Sequence, residues 1–235
     1  MKTVLSILSF LLLINRPLVA QHSNNYVDAT IGVGSYQGSL AISYTHYWRF
    51  GGNGKLGIGL GGRITSYFGA NQYYVTAPAE LTSGSTSPLI IFKNNISANI
   101  DTFLVKSPQV TAINASINID YRITNRLIAG FNIDAIGFSF GSYKTGNYIN
   151  GFTGRNTGAS PTQFNILLIS DNDRGSLNSE FYAKYFINGT WGIKLGAQFL
   201  FTEYTTKAKV QQFPRENDRF RNKSFMVCLG ISHKL

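Results

Sequence analysis

The residues of this 235-residue chain best suited to chemistry are acids and bases placed two apart. Between Thr111 and Arg122, alternate positions hold Asn114, Ser116, Asn118, Asp120 and Arg122, while the positions between them hold Ile113, Ala115, Ile117, Ile119 and Tyr121. On a strand, the polar set would share one face. The same frame sets Asp28, Asp120, Asp134 and Glu180 against Arg49, Arg63, Arg122, Lys184 and Lys194. Opposite charges confined to one narrow space pair. Counting up from the turns puts Arg63, Asp134 and Glu180 near mid-height, with Arg122, Lys184, Lys194 and Asp28 lower. The expectation is an ion-pair cluster of Arg63, Asp134, Glu180, Asp120, Arg122, Lys184 and Lys194, with Arg63 at its centre, paired to Asp134 or Glu180. Truncating one partner of such a pair costs about 3–5 kcal/mol, because the other charge is left buried and alone.

Other constellations carry less. Arg215, Arg219, Arg221 and Lys223 form a basic stretch that would suit an anionic lipid surface. The three histidines, His22, His46 and His233, all fall at the end of the strands that carries the tight turns and the two termini, where no Ser-His-acid set can be assembled within the topology, so no enzymatic role is expected. Asp171, Asn172 and Asp173 offer oxygen ligands without the spacing of a calcium loop, and no metal or cofactor is expected. The glycines of Gly57-Ile58-Gly59-Leu60-Gly61-Gly62 precede no helix, which removes the nucleotide-loop reading. They read instead as small inward positions that leave room for larger neighbours. The single cysteine, Cys228, excludes an internal disulfide and reads as a small residue of the last strand.

The elements that must position these residues are strands. Trp191 to Thr202 alternates as Thr111 to Arg122 does, and so do Phe181 to Ile187 and Leu56 to Thr65. Tight turns are expected at Gly51 to Gly54, Thr124-Asn125 and Asn188-Gly189, where Gly and Asn tolerate positive φ. Long polar segments, Gly69 to Ser107, Tyr143 to Ser176 and Thr205 to Asn222, separate them. Short turns alternating with long loops predict an all-β, antiparallel, up-and-down transmembrane β-barrel. The strands expected are Asn25–Gly34, Gly38–Arg49, Lys55–Phe68, Pro108–Arg122, Arg126–Ser142, Leu177–Ile187, Trp191–Tyr204 and Lys223–Lys234, which makes about eight. A further hairpin from Leu89–Phe92 and Ile96–Val105 would project from a loop or make the count ten. Trp48, Tyr121, Tyr185 and Trp191 fall on the apolar face near the tight turns, where amphipathic rings form a membrane-interface girdle.

The first residues follow another pattern. Lys2, the apolar run Val4 to Ile14, and Leu18-Val19-Ala20 read as a signal peptide over residues 1–20, cleaved before Gln21, with residues 21–235 as the barrel domain. The run is too short for a membrane helix, which needs roughly 20 apolar residues. The net charge is +10, with Lys2 and Arg16 lost on cleavage. For a basic exported chain this suggests lipopolysaccharide phosphates as neighbours, and the scattered bases with no recognition motif argue against nucleic acid.

With these features in place, the chain resembles the small outer-membrane barrels of the OmpA/OmpX type and, more loosely, the outer-membrane β-barrel domain common in Bacteroidetes. The likeness runs from about Asn25 to Leu235. Its most specific piece is the end, where Phe225, Val227, Leu229 and Ile231 alternate toward Leu235; the family ends on an aromatic residue, and here the residue is leucine. The resemblance implies an outer-membrane address, assembly through the barrel-assembly machinery and a monomer. It says little about activity. Two functions therefore stand as expectations: a largely plugged, non-enzymatic structural or surface-interaction protein acting through its outer loops, and a porin-like channel for small solutes or ions.

Overall fold

The computed structural model describes residues 23–87, 92–149 and 155–235. The leader expected over residues 1–20 lies outside them. Among the described residues the strands are β1 (Ser23–Gly34), β2 (Gln37–Phe50), β3 (Leu56–Gly69), β4 (Gln72–Thr76), β5 (Thr102–Val105), β6 (Gln109–Arg122), β7 (Leu127–Phe140), β8 (Lys144–Tyr148), β9 (Arg155–Pro161), β10 (Phe164–Ile166), β11 (Leu177–Phe186), β12 (Trp191–Thr206) and β13 (Arg219–Lys234), with one short α-helix, α1 (Ala79–Thr82). All thirteen strands belong to one antiparallel, ring-closed sheet.

The long strands β1, β2, β3, β6, β7, β11, β12 and β13 pair in that order, and β13 returns to β1. Successive side chains of a strand point to opposite faces, so each alternating segment gives the ring an apolar and a polar side. Polarity is inverted relative to a water-soluble protein. Ile31, Leu40, Ile64, Ile117, Phe181, Leu195 and Leu229 are exposed on the outside, whereas Asp28, Arg49, Arg63, Asp134, Glu180, Lys184 and Lys194 are buried inside.

The lower turns are tight, as expected, but only one uses positive φ. Gly51 and Gly54 adopt φ of 84° and 58°, and the Gly54 N–H bonds to the Gly51 carbonyl. The other two are stitched by side chains. Thr124 Oγ1 accepts from the Arg126 and Leu127 N–H groups, and Asn188 Oδ1 accepts from those of Thr190 and Trp191. Short polar side chains that fold back on the backbone hold these turns without left-handed residues.

The upper end departs from the expectation of long loops. Two of the three segments read as loops contain β4, β5, β8, β9 and β10, and the third, Thr205 to Asn222, holds the end of β12 and the start of β13, which begins four residues before the expected Lys223. β5 pairs with β4; of the expected hairpin, residues 89–91 lie outside the described residues. β13 pairs with β4, β4 with β5, β5 with β8, β8 with β9 and β9 with β12. Because β12 and β13 also pair with each other, these six strands close a second ring on top of the first. The inward residues Tyr74, Phe103, Val105, Tyr148, Tyr204 and Phe220 fill it as an apolar core.

Candidate functional site

The interior of the large ring is the site that the sequence singles out. Arg63 on β3 is its hub. Its Nε donates to Asp134 Oδ1 at 2.9 Å and its Nη2 to the same oxygen at 2.6 Å, while Nη1 reaches Asn132 Oδ1 at 2.5 Å and stands 3.6 Å from Glu180. Glu180 also takes Lys194 at 2.5 Å, Lys194 lies 3.6 Å from Asp28, and Asp28 holds Lys184 at 2.8 Å. The groups form one chain of alternating sign across the ring. Asn114 on β6 extends it, donating to Asp134 Oδ2 at 2.8 Å and accepting from Asn165 on β10.

Arg49 and Asp120 make a separate pair lower down, reached in an unusual way. In the register Arg49 lies opposite Gly57, and Gly57 lies opposite Asp120. The guanidinium therefore crosses the whole of β3 to its carboxylate, with a second bond from Nη2 to Oδ2 at 3.0 Å. A Cβ on residue 57 would come within 2.6 Å of Arg49 Nη1, so glycine is what leaves the path open. Of the expected cluster, Arg63, Asp134, Glu180, Asp120, Lys184 and Lys194 are buried in these pairs. Arg122 is not among them. As the last residue of β6 it lies half-exposed at the lower mouth and forms no ion pair among the described residues. Arg49 and Asp28 complete the set instead.

Apolar layers lie on both sides of the charges. Below are Tyr26, Tyr47, Ile128 and Phe186, with the Tyr26 and Tyr47 rings edge to face at 5.7 Å. Lys184 stands 5.0 Å from the ring centroids of Tyr26 and Tyr182, a placement that favours the ammonium by cation–π attraction. Above are Tyr67, Leu200 and Met226. Polar bonds tie this layer to the walls, Tyr67 to Gln37 at 2.9 Å and Ser39 to Gln198 at 2.6 Å. Cys228 is buried on the inner face of β13 and forms no disulfide.

The outer basic stretch is less free than its sequence suggests. Arg219 Nε donates to Glu203 at 2.8 Å, Arg221 Nη2 to the same carboxylate at 2.9 Å, Lys223 pairs with Asp171 at 2.6 Å and Arg215 with Glu80. Arg221 is 1 % exposed. Asp173 is buried; burial lifts its carboxyl above the usual range, opposed by the Leu168 N–H bond and by Arg221. In the core of the upper ring, burial pushes the Tyr74 phenol well above its ordinary range. Near the lower turns, Tyr121, Tyr185 and Trp191 are about half exposed on the outer face and Trp48 is half-buried, packed against His46 with ring centroids 4.7 Å apart.

No family model matches the chain, and no curated protein matches its sequence. Solved structures do. Neisserial surface protein A is 9% identical, with 91% of this chain and 96% of that chain covered and a TM-score of 0.38. The attachment invasion locus protein Ail of Yersinia pestis is 8% identical, with 91% and 97% covered and a TM-score of 0.37. A designed transmembrane β-barrel is 8% identical, with 90% and 95% covered and a TM-score of 0.33.

Proposed function

We propose that the chain is a plugged outer-membrane β-barrel: its large ring crosses the membrane as an eight-stranded barrel, and the folded lid above presents the surface that other molecules meet. The inverted polarity supports the membrane reading, since soluble monomers rarely expose contiguous apolar patches beyond a few hundred Å². Alternating strands with apolar residues outside and polar ones inside are what a barrel in lipid requires.

The observation that carries the plugged reading is the balance of the interior. Arg49, Arg63, Lys184 and Lys194 each meet one or more of Asp28, Asp120, Asp134 and Glu180, between apolar layers above and below. A solute would have to break buried pairs to pass. An eight-stranded barrel is just wide enough for side chains to fill it. Under this reading residues 1–20 leave on export and the alternating end of β13 engages the barrel-assembly machinery. Membrane lipid and lipopolysaccharide contact the wall and upper rim, the protein acts as a monomer, and its role is structural or surface-interacting rather than catalytic.

The test is conductance. The mature chain, Gln21 to Leu235, refolded and inserted in a planar bilayer, is expected to stay silent at voltages that leave it folded. Discrete, reproducible openings would overturn the plugged reading in favour of a porin-like channel.

A further inference from the structure

The lower end of the large ring carries side-chain charge of one sign only. Lys55 before β3, Arg122 at the end of β6, Arg126 before β7 and Lys234 at the end of β13 gather there. Among the described residues none of them forms an ion pair. Every acid of the chain is placed elsewhere. Asp28, Asp120, Asp134 and Glu180 are inside the ring, already paired; Glu80, Asp101, Asp171, Asp173, Glu203, Glu216 and Asp218 belong to the upper segments.

Two of the lower cations face each other. The β3–β6 register pairs Leu56 with Tyr121, and one step further the Arg122 N–H bonds to the Lys55 carbonyl at 2.9 Å, so Lys55 and Arg122 are directly opposed. Like charges opposed across a strand pair destabilise it. Asp120, the nearest acid along the strand, has both oxygens engaged by Arg49.

The surface around them is concave. A cleft of about 470 Å³ is lined by Asn53, Lys55, Arg122, Thr124 and Asn125. A second, of about 140 Å³, shares Arg122 and Asn125, runs on to Asn188 and Lys234, and is floored by Tyr26 and Phe186. Arg122 stands where the two meet. A guanidinium presents a planar fork of donors to oxyanions, and the asparagine amides add neutral donors.

We propose that this lower mouth is an oxyanion site that takes a phosphoryl group, held by Arg122 and Lys55 with Lys234 on the far side. Three cations with no acidic side chain beside them suit a multiply charged group better than a single carboxylate. The group comes either from a free phosphate compound or from a lipid headgroup. The site is independent of whether the lumen conducts.

Titration of inorganic phosphate into the protein in a non-ionic detergent, followed by calorimetry, tests it, with lipid discs containing a phosphomonoester lipid as a second arm. Saturable binding in the first arm assigns a soluble source; a response in the second arm alone assigns the headgroup. Arg122→Gln and Lys55→Gln are each expected to weaken binding about tenfold or more, and Lys207→Gln at the upper end to leave it unchanged. Without phosphate, Lys55→Gln is expected to raise the unfolding midpoint, because it removes a repulsion, and a fall would speak against the opposed pair. No binding in either arm, or full affinity in Arg122→Gln, overturns the site.

Discussion

Arg63 divides its donors among Asp134, Asn132 and the Asn178 carbonyl, and is 3 % exposed. Removing it strands Asp134 and half of the Glu180 environment. Arg63→Ala is expected to cost about 3–5 kcal/mol in urea unfolding, and Arg63→Ala with Asp134→Ala less than the sum of the two single losses, since each removes the charge that the other would strand. Gly57→Ala tests the crossing pair. Its methyl would press on Arg49 and Asp120, so the variant is expected to lose about 1–3 kcal/mol by overpacking, while Gly52→Ala, in open space at the lower turn, changes little. Alternation alone made the inward set legible in sequence. It did not show who pairs with whom. Arg49 finds Asp120 only because a glycine separates them on the strand between, and Arg122 has the right parity but ends β6 directly opposite Ile128, level with the floor that Tyr26 and Ile128 build, where no carboxylate among the described residues pairs with it.

Among the elements, legibility followed length. β6 and β12 run for 14 and 16 residues, long enough for period two to stand out and for their ends to be read within two residues. β4, β5 and β10, of five, four and three residues, are too short for a periodicity to register, and their partners lie far off along the chain. The available signal was the aromatic residues Tyr74, Phe103 and Tyr148 inside segments read as polar loops. Phe220 sits among them, its ring centroid 5.5 Å from that of Phe103 and fully buried. Phe220→Ala is expected to cost the upper ring about 3–5 kcal/mol. Limited proteolysis should then cut near α1 and within β8 and β9 while the large ring stays intact; a variant as resistant as the parent would mean that the upper strands do not depend on this core.

At the scale of the molecule, the inverted polarity makes a prediction that separates lipid from water. Leu229 is 58 % exposed on β13, opposite Ile31 of β1 and Leu195 of β12 in the wall of the large ring. On a water-facing surface Leu229→Arg would shift stability by at most about 0.5 kcal/mol. On a wall at the bilayer midplane it is expected to cost about 2–4 kcal/mol. Folding equilibria measured in lipid vesicles distinguish the two. The shared hairpin also has a temporal consequence. β12 and β13 close both rings and follow all the other described strands in sequence, so β1, β2, β3, β6, β7 and β11 can zip together in order while both outer edges stay open. Neither closure can begin before residues 191–234 arrive. A chain cut short before β12 would leave exposed strand edges, a template for pairing with other chains, so this topology makes the arrival of β12 and β13 the condition for escaping aggregation.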